Sequence, residues 1–205
     1  EILVNCIDRT RKGLGPDLDL LKEISKRGLS TPLTYGGGIR SLNDALEVIS
    51  NGAERILIDQ IVSKDLNTLK DICKSLGRQA IIYSCPVLLK NNILYHVDYL
   101  NKKKENLESW FEKYIKEENF SEILIIDYLN EGHKEGFDFN IIKCLPNISN
   151  PFLIFGGLTN PKQINKLLCD NRVVGIGIGN ALSFKENNVQ KFKSKINSIH
   201  LRAPF

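Results

Sequence analysis

The sequence predicts a parallel α/β fold of the (β/α)8, TIM-type barrel class, and three observations lead there. Short runs rich in isoleucine, leucine and valine alternate with amphipathic segments along the chain. The opening Glu1-Ile2-Leu3-Val4-Asn5-Cys6-Ile7-Asp8 is echoed 121 residues later by Glu122-Ile123-Leu124-Ile125-Ile126-Asp127. Downstream, Pro32-Leu33-Thr34-Tyr35-Gly36-Gly37-Gly38-Ile39 is answered by Pro151-Phe152-Leu153-Ile154-Phe155-Gly156-Gly157-Leu158. A repeat of that length predicts two related halves, about 1–77 and 78–205, within one barrel domain spanning 1–205. An open doubly wound sheet is the alternative.

Each element follows from its pattern. The first apolar run, Ile2 to Ile7, reads as a buried parallel strand, and Leu18 to Arg27 as an amphipathic helix that stops at Gly28. Leu33 to Tyr35 is the second strand. Leu42 to Ser50 is a helix opened by Ser41 with Asp44 and closed near Gly52. Arg55 to Ile58 forms a strand, Leu66 to Leu76 a helix ending at Gly77, and Ala80 to Ser84 the next strand. Asn91-Asn92, between Leu88-Leu89 and Ile93-Leu94-Tyr95, reads as a hairpin turn, so the loop Lys90 to Asn106 is expected to cover the C-terminal face. Leu107 to Glu118 is helical, Ile123 to Ile126 and Phe152 to Phe155 are strands, and Asn160-Pro161 starts a helix running to Leu168. Val173 to Ile178 is the last strand. These make seven strands, whereas eight close a barrel of typically about 250 residues. Because the chain opens directly inside a strand, a first strand and helix are expected to be absent from it.

Composition narrows the function classes. With 205 residues and 42% hydrophobic content the chain can bury a substantial core. The net charge of +4 is dispersed apart from Lys102-Lys103-Lys104, which reads as a solvated face and not as a nucleic-acid patch. Five cysteines (Cys6, Cys73, Cys85, Cys144, Cys169) show no C-x-x-C spacing, which argues against a disulfide framework and a zinc site. A reduced, cytoplasmic compartment follows. No apolar run reaches the roughly 20 residues of a membrane span, and no secretory signal opens the chain.

Glycines placed directly after apolar strands let backbone N–H groups approach a phosphate. Two such clusters stand out: Gly36, Gly37 and Gly38, and Gly156 and Gly157 with Gly177, Gly179 and Asn180. One per half would suit a small molecule phosphorylated at both ends; alternatively the glycines only permit tight turns. Asp59, after the strand ending at Ile58, would repel a phosphate, so the second cluster is the better cradle. Asp8, Asp127 and Glu131 are the candidate catalytic carboxylates at strand ends, with Cys6 and Asn130 beside them. Asp127 could equally cap nearby backbone amides. Cys6 and Cys85 read either as nucleophiles or as buried apolar cysteines. His96, His133 and His200 stand in unrelated contexts, so no metal or cofactor is assigned. At the other end, Glu1, Arg55 and Glu122 each immediately precede a strand and would ring the N-terminal mouth with alternating charge. A structural salt-bridge cap is the alternative there.

Asp8-Arg9-Thr10-Arg11-Lys12-Gly13, Tyr35-Gly36-Gly37-Gly38-Ile39-Arg40, Asn51-Gly52-Ala53, Glu131-Gly132, Gly136-Phe137-Asp138 and Gly156-Gly157 give the chain a family resemblance. It resembles the cyclase subunit of imidazole glycerol phosphate synthase, and more closely the divergent versions encoded in bacterial surface-polysaccharide pathways. The resemblance implies a lyase-type subunit of a glutamine amidotransferase. A glutaminase would dock at the N-terminal face, and ammonia would pass a charged gate made of Glu1, Arg55 and Glu122 toward a phosphorylated ligand. Arg55 stands where a lysine is usual. The resemblance puts a general acid or base aspartate at the position of Pro86 and a second on the absent first strand. A conduit serving nucleotide-sugar amidation is therefore the first reading, with an active cyclase of histidine biosynthesis and a degenerate scaffold as alternatives.

Overall fold

The structure, a computed structural model, describes residues 1–133, 136–180, 182 and 188–196. Elements run in the order β1 (Ile2–Asn5), α1 (Ile7–Arg11), α2 (Leu18–Lys26), β2 (Leu33–Gly36), α3 (Leu42–Ser50), β3 (Arg55–Ile58), α4 (Ile61–Lys64) and α5 (Leu66–Leu76). They continue with β4 (Ile81–Lys90), β5 (Ile93–Asp98), β6 (Lys103–Asn106), α6 (Leu107–Tyr114) and β7 (Glu122–Asp127). The last are α7 (Asn140–Lys143), β8 (Phe152–Phe155), α8 (Pro161–Leu167), β9 (Val173–Ile176) and α9 (Asn188–Lys193). This is an α/β fold built on parallel strands. Two compact units divide it: residues 1–84 with 111–123, and residues 85–110 with 124–205.

In the first unit β1, β2, β3 and the start of β4 pair in parallel, with Ile2 opposite Leu33, Tyr35 opposite Ile56 and Ile56 opposite Ile81. Helix starts and stops obey local chemistry. Ser41 accepts the Asp44 N–H at 3.1 Å, Asp17 accepts the Leu20 N–H at 3.1 Å, and Asp65 accepts the amides of Asn67 and Thr68. Gly28 and Gly52 close α2 and α3 at φ of 65° and 107°. The core gathers Leu21, Tyr35, Ile56, Leu69, Ile72, Ile81, Tyr83 and Phe120, all fully buried. By contrast, Ile2 and Leu3 of β1 are 38% and 43% exposed.

In the second unit β4 and β5 form an antiparallel hairpin, Val87 opposite His96, turned by Asn91 and Asn92 at φ of 51° and 59°. β6 adds antiparallel to β5, and β9 lies parallel to β8. Asn160 caps α8 in a reciprocal capping box with Gln163, and Pro161 opens the helix.

Five sequence expectations need correction, one of them the last strand, which ends at Ile176 instead of Ile178. The first strand stops at Asn5: the Cys6 N–H still makes a ladder bond to the Gly36 carbonyl (2.8 Å), but the Cys6 carbonyl already accepts the Arg9 N–H (3.0 Å) and Ile7 begins α1, which the Asp8–Lys12 pair braces. The strand expected to end at Ser84 runs on to Lys90. Pro86 is tolerated there because the parallel ladder to β3 ends at Tyr83 and the hairpin ladder begins at Val87, so its missing N–H falls between the two. The helix expected to reach Glu118 ends at Tyr114 and gives way to a 3-10 turn at Glu117–Asn119. Strands β5 and β6 bring the number of strands to nine among the described residues, and the lysine run lies exposed on β6 and its approach.

Candidate functional site

The first unit holds a charge ring at the N-terminal ends of its strands. Arg55, the first residue of β3, sends Nη1 to Glu1 at 3.3 Å and Nη2 to both Glu122 and Ser121 Oγ, the latter at 2.5 Å. Thr34 Oγ1, buried in β2, donates to Glu1. The three charged residues named from the sequence therefore form one hydrogen-bonded cluster, with Arg55 side-chain exposure of only 18%. Partial burial strengthens such pairs relative to fully solvated ones. Thr34 and Ser121 escaped the sequence reading, although a threonine inside an apolar strand and a serine immediately before Glu122 are both departures from pattern.

At the C-terminal ends of the same strands lies the first glycine turn. Gly37 and Gly38 adopt φ of 107° and 75°. A Cβ on Gly37 would fall on the Cys6 carbonyl, and one on Gly38 would lie 2.6 Å from Gly15. The Gly38 N–H donates to Thr10 Oγ1 at 3.0 Å. Arg40 reaches the Gly13 carbonyl at 2.5 Å and Arg9 the Pro16 carbonyl at 3.0 Å, while the Asp17 N–H donates to Tyr35 Oη at 2.6 Å. The loop 12–17 is thus tied from three sides against the glycines. Burial pushes the Tyr35 phenol well above its ordinary range, and a hydrogen bond with the partly buried Cys6 side chain adds to this. Asp8 sits on the exposed surface of α1, where the hydrogen bond from Lys12 at 3.1 Å lowers its carboxyl below the ordinary value. Asp59 spends one oxygen on the Gln60 N–H at 2.6 Å.

The second glycine turn belongs to the second unit. Gly156 and Gly157 adopt φ of 108° and 65°, close to the first pair. A Cβ on Gly156 would approach the Asp127 carbonyl to 2.9 Å, and one on Gly157 the Phe137 amide nitrogen to 2.7 Å. Asp127 is buried, and its carboxylate accepts from the Asn130 N–H (3.3 Å), Asn130 Nδ2 (2.8 Å) and the Asp138 N–H (3.0 Å). It ties the loop after β7 into a knot over the glycines. Glu131 is exposed in that loop, and Asn180 comes close to it, with its Nδ2 3.3 Å from where a Gly132 Cβ would stand. Gly177 donates to the Ile154 carbonyl at 2.8 Å, which keeps the turn after β9 beside β8. No side chain among the described residues receives the Gly157 N–H, in contrast to Gly38.

Other candidates separate from these places. Cys85 and Pro86 are buried inside β4. His96 is buried and stacks on Trp110 with ring centroids 3.7 Å apart; burial lowers its pKa to about 4, although Asp98 opposes the shift. His133 is exposed, and His200 lies outside the described residues. Among the described residues no cluster of His, Cys, Asp or Glu could hold a metal ion, and no helix is long and apolar enough to cross a membrane.

The sequence profile of the histidine biosynthesis protein family matches residues 1–188. A provisionally named imidazole glycerol phosphate synthase subunit hisF2 of Vibrio vulnificus strain YJ016 is 24% identical over 204 residues, covering 98% of this chain and 74% of its own. The imidazole glycerol phosphate synthase subunit HisF of Leptospira biflexa serovar Patoc is 26% identical over 191 residues (90% of this chain, 74% of its own). The HisF subunit of Staphylococcus saprophyticus is 25% identical over 200 residues (96% and 79%).

Proposed function

The chain belongs to the histidine biosynthesis protein family, and from that premise we propose that it is a barrel subunit that docks a glutaminase and conducts ammonia to a phosphorylated ligand. The observation that carries the proposal is the ring of Glu1, Arg55 and Glu122, whose alternating charges are paired and partly buried at the N-terminal strand ends. The ring puts one cation between two anions from different strands, a geometry that could open by swinging the Arg55 side chain. Phosphate would bind at the second glycine turn, where Gly156 and Gly157 stand with Gly177, Gly179 and Asn180. The first turn is the weaker cradle, since the Gly38 N–H is already engaged by Thr10 and Asp59 lies near the same strand ends.

Nitrogen carried this way would serve amidation of a nucleotide sugar, because buried Pro86 at the position where the resemblance places an acid or base aspartate cannot transfer a proton. The similarity to HisF subunits favours a second reading, an active cyclase of histidine biosynthesis, in which Asp127, Glu131 or Asp8 would replace that aspartate. Glutaminase activity of a co-encoded glutaminase, measured with and without this subunit, separates the two. The conduit reading expects stimulation, and ammonia escaping to solvent when Arg55→Ala is used. Turnover of a phosphoribosyl-carboxamide substrate with free ammonium instead establishes the cyclase. Neither stimulation nor turnover leaves a scaffold.

A further inference from the structure

Ser121, like Thr34, is a member of the charge ring that the family resemblance does not supply. Its single hydroxyl proton goes to the Ile81 carbonyl at 2.9 Å, a carbonyl that also accepts the Ser121 N–H at 2.9 Å. With the proton committed, the oxygen lone pair must face outward, and there it receives Arg55 Nη2 at 2.5 Å. Arg55 is therefore gripped on both prongs: Nη1 by Glu1, Nη2 by Glu122 and by a hydroxyl whose direction the β4 backbone fixes. The Nε–H of Arg55 is buried and finds no acceptor among the described residues. Leaving a donor unpaired is costly, so the fork is turned wholly toward the ring in spite of that cost. Neither carboxylate has a comparable anchor: Glu1 is held by the Thr34 hydroxyl and is itself 37% exposed, so Ser121 is the rigid point of the cluster.

We infer that Ser121 is a positioning residue that latches the Arg55 guanidinium across the ring and sets how readily the ring opens. This rests on the conduit reading above. A lysine ammonium carries three donors on one nitrogen at the end of a flexible stem, whereas the planar fork can bind one carboxylate on each prong and still reach the serine. The arginine and the serine thus act as a matched pair.

The test is guanidinium NMR on the full chain, reading rotation about the Arg55 Cζ–Nε bond against exposed Arg27 as internal reference. Wild type and Ser121→Thr should show slow rotation with separate Nη signals for Arg55, and Ser121→Ala should rotate at least tenfold faster at an unchanged melting temperature. Equal rotation in wild type and Ser121→Ala overturns the latch. If Ser121→Ala does not fold, Ser121→Gly takes its place, and rotation as slow as in wild type overturns the latch; Arg55 rotating as fast as Arg27 in wild type also overturns it. In the complex with the glutaminase, Ser121→Ala should raise ammonia escape severalfold. A slow guanidinium with unchanged escape in Ser121→Ala overturns control by the latch. Unchanged escape in Arg55→Ala as well overturns the conduit reading itself.

Discussion

Two glycine turns, one in each unit, have nearly the same backbone and different neighbours. Gly37 and Gly38 sit at φ of 107° and 75°, Gly156 and Gly157 at 108° and 65°. In both, the glycines let the turn press on the loop that follows the preceding strand. The 121-residue offset pairs Cys6 with Asp127 and Thr10 with Glu131. The first turn is closed by its own chain, through the Cys6 backbone, the Thr10 hydroxyl and the tethered loop 12–17. The second is closed by a carboxylate knot that leaves the Gly157 amide without a side-chain acceptor among the described residues. The lesson is that shared backbone geometry does not by itself make two binding sites; the side chains at the strand ends decide which amides a ligand can use.

The largest effects should come from the glycines. Gly37→Ala sets a Cβ on the Cys6 carbonyl, and Gly156→Ala brings one within 2.9 Å of the Asp127 carbonyl, both at φ that alanine rarely adopts. Chemical denaturation should show a loss of about 4 kcal/mol for the first and roughly 2–3 kcal/mol for the second. Equal losses would mean that the two loops yield equally and that the closure of the first turn is no tighter.

Acid should separate the units next. The folded chain holds His96 neutral down to about pH 4, whereas the unfolded chain takes up its proton near 6.5. Its contribution is therefore fully present above pH 6.5 and is lost as pH falls toward 4, a loss on the order of 3 kcal/mol. Trp110, the chain's sole tryptophan, stacks on that imidazole and reports the change by fluorescence. The folded-state signal should shift over roughly pH 5 to 3, centred near 4, in wild type and stay flat in His96→Phe. Somewhat smaller, Asp127→Asn should cost roughly 2 kcal/mol by turning one acceptor into a donor among three N–H groups, while Cys6→Ser, at the paired position, should stay within about 1 kcal/mol.

Much of the fold was legible because its signals are local. Ser41, Asn160, Gly28 and Gly52 announce helix ends within a few residues, and the Asn91-Asn92 turn specifies a hairpin. The extension of β4 past Ser84 was not legible, because whether a strand runs through a proline depends on which partner each flank finds, and that is settled by the hairpin, not by the proline's neighbours in sequence. In the site, Glu1, Arg55 and Glu122 were visible from their place before apolar runs. Thr34 and Ser121 were not, since their partners lie 33 and 66 residues away in the chain, as Glu1 and Arg55 respectively. From the sequence, Asp127 is an open choice between acid and cap. Its three N–H donors describe the cap, and no pattern in the sequence foretells that the Asp138 amide returns to it.

The smallest effect bears most directly on which turn takes a phosphate. Thr10→Val leaves the Gly38 N–H without its acceptor and should cost about 1 kcal/mol, a modest loss because the loop 12–17 still holds the turn. If the first turn were a latent cradle, removing that hydroxyl would free the amide, and inorganic phosphate would then protect Thr10→Val more than wild type. The assignment of phosphate to the second unit requires equal protection instead. At a phosphate concentration about tenfold above its dissociation constant, wild type and Thr10→Val should gain the same roughly 1.4 kcal/mol. Asn180→Ala, which alters only an exposed side chain beside Gly132, should lose most of that gain while keeping its ligand-free stability. Thermal denaturation with and without phosphate reads all three, and a gain confined to Thr10→Val would move the site to the first unit.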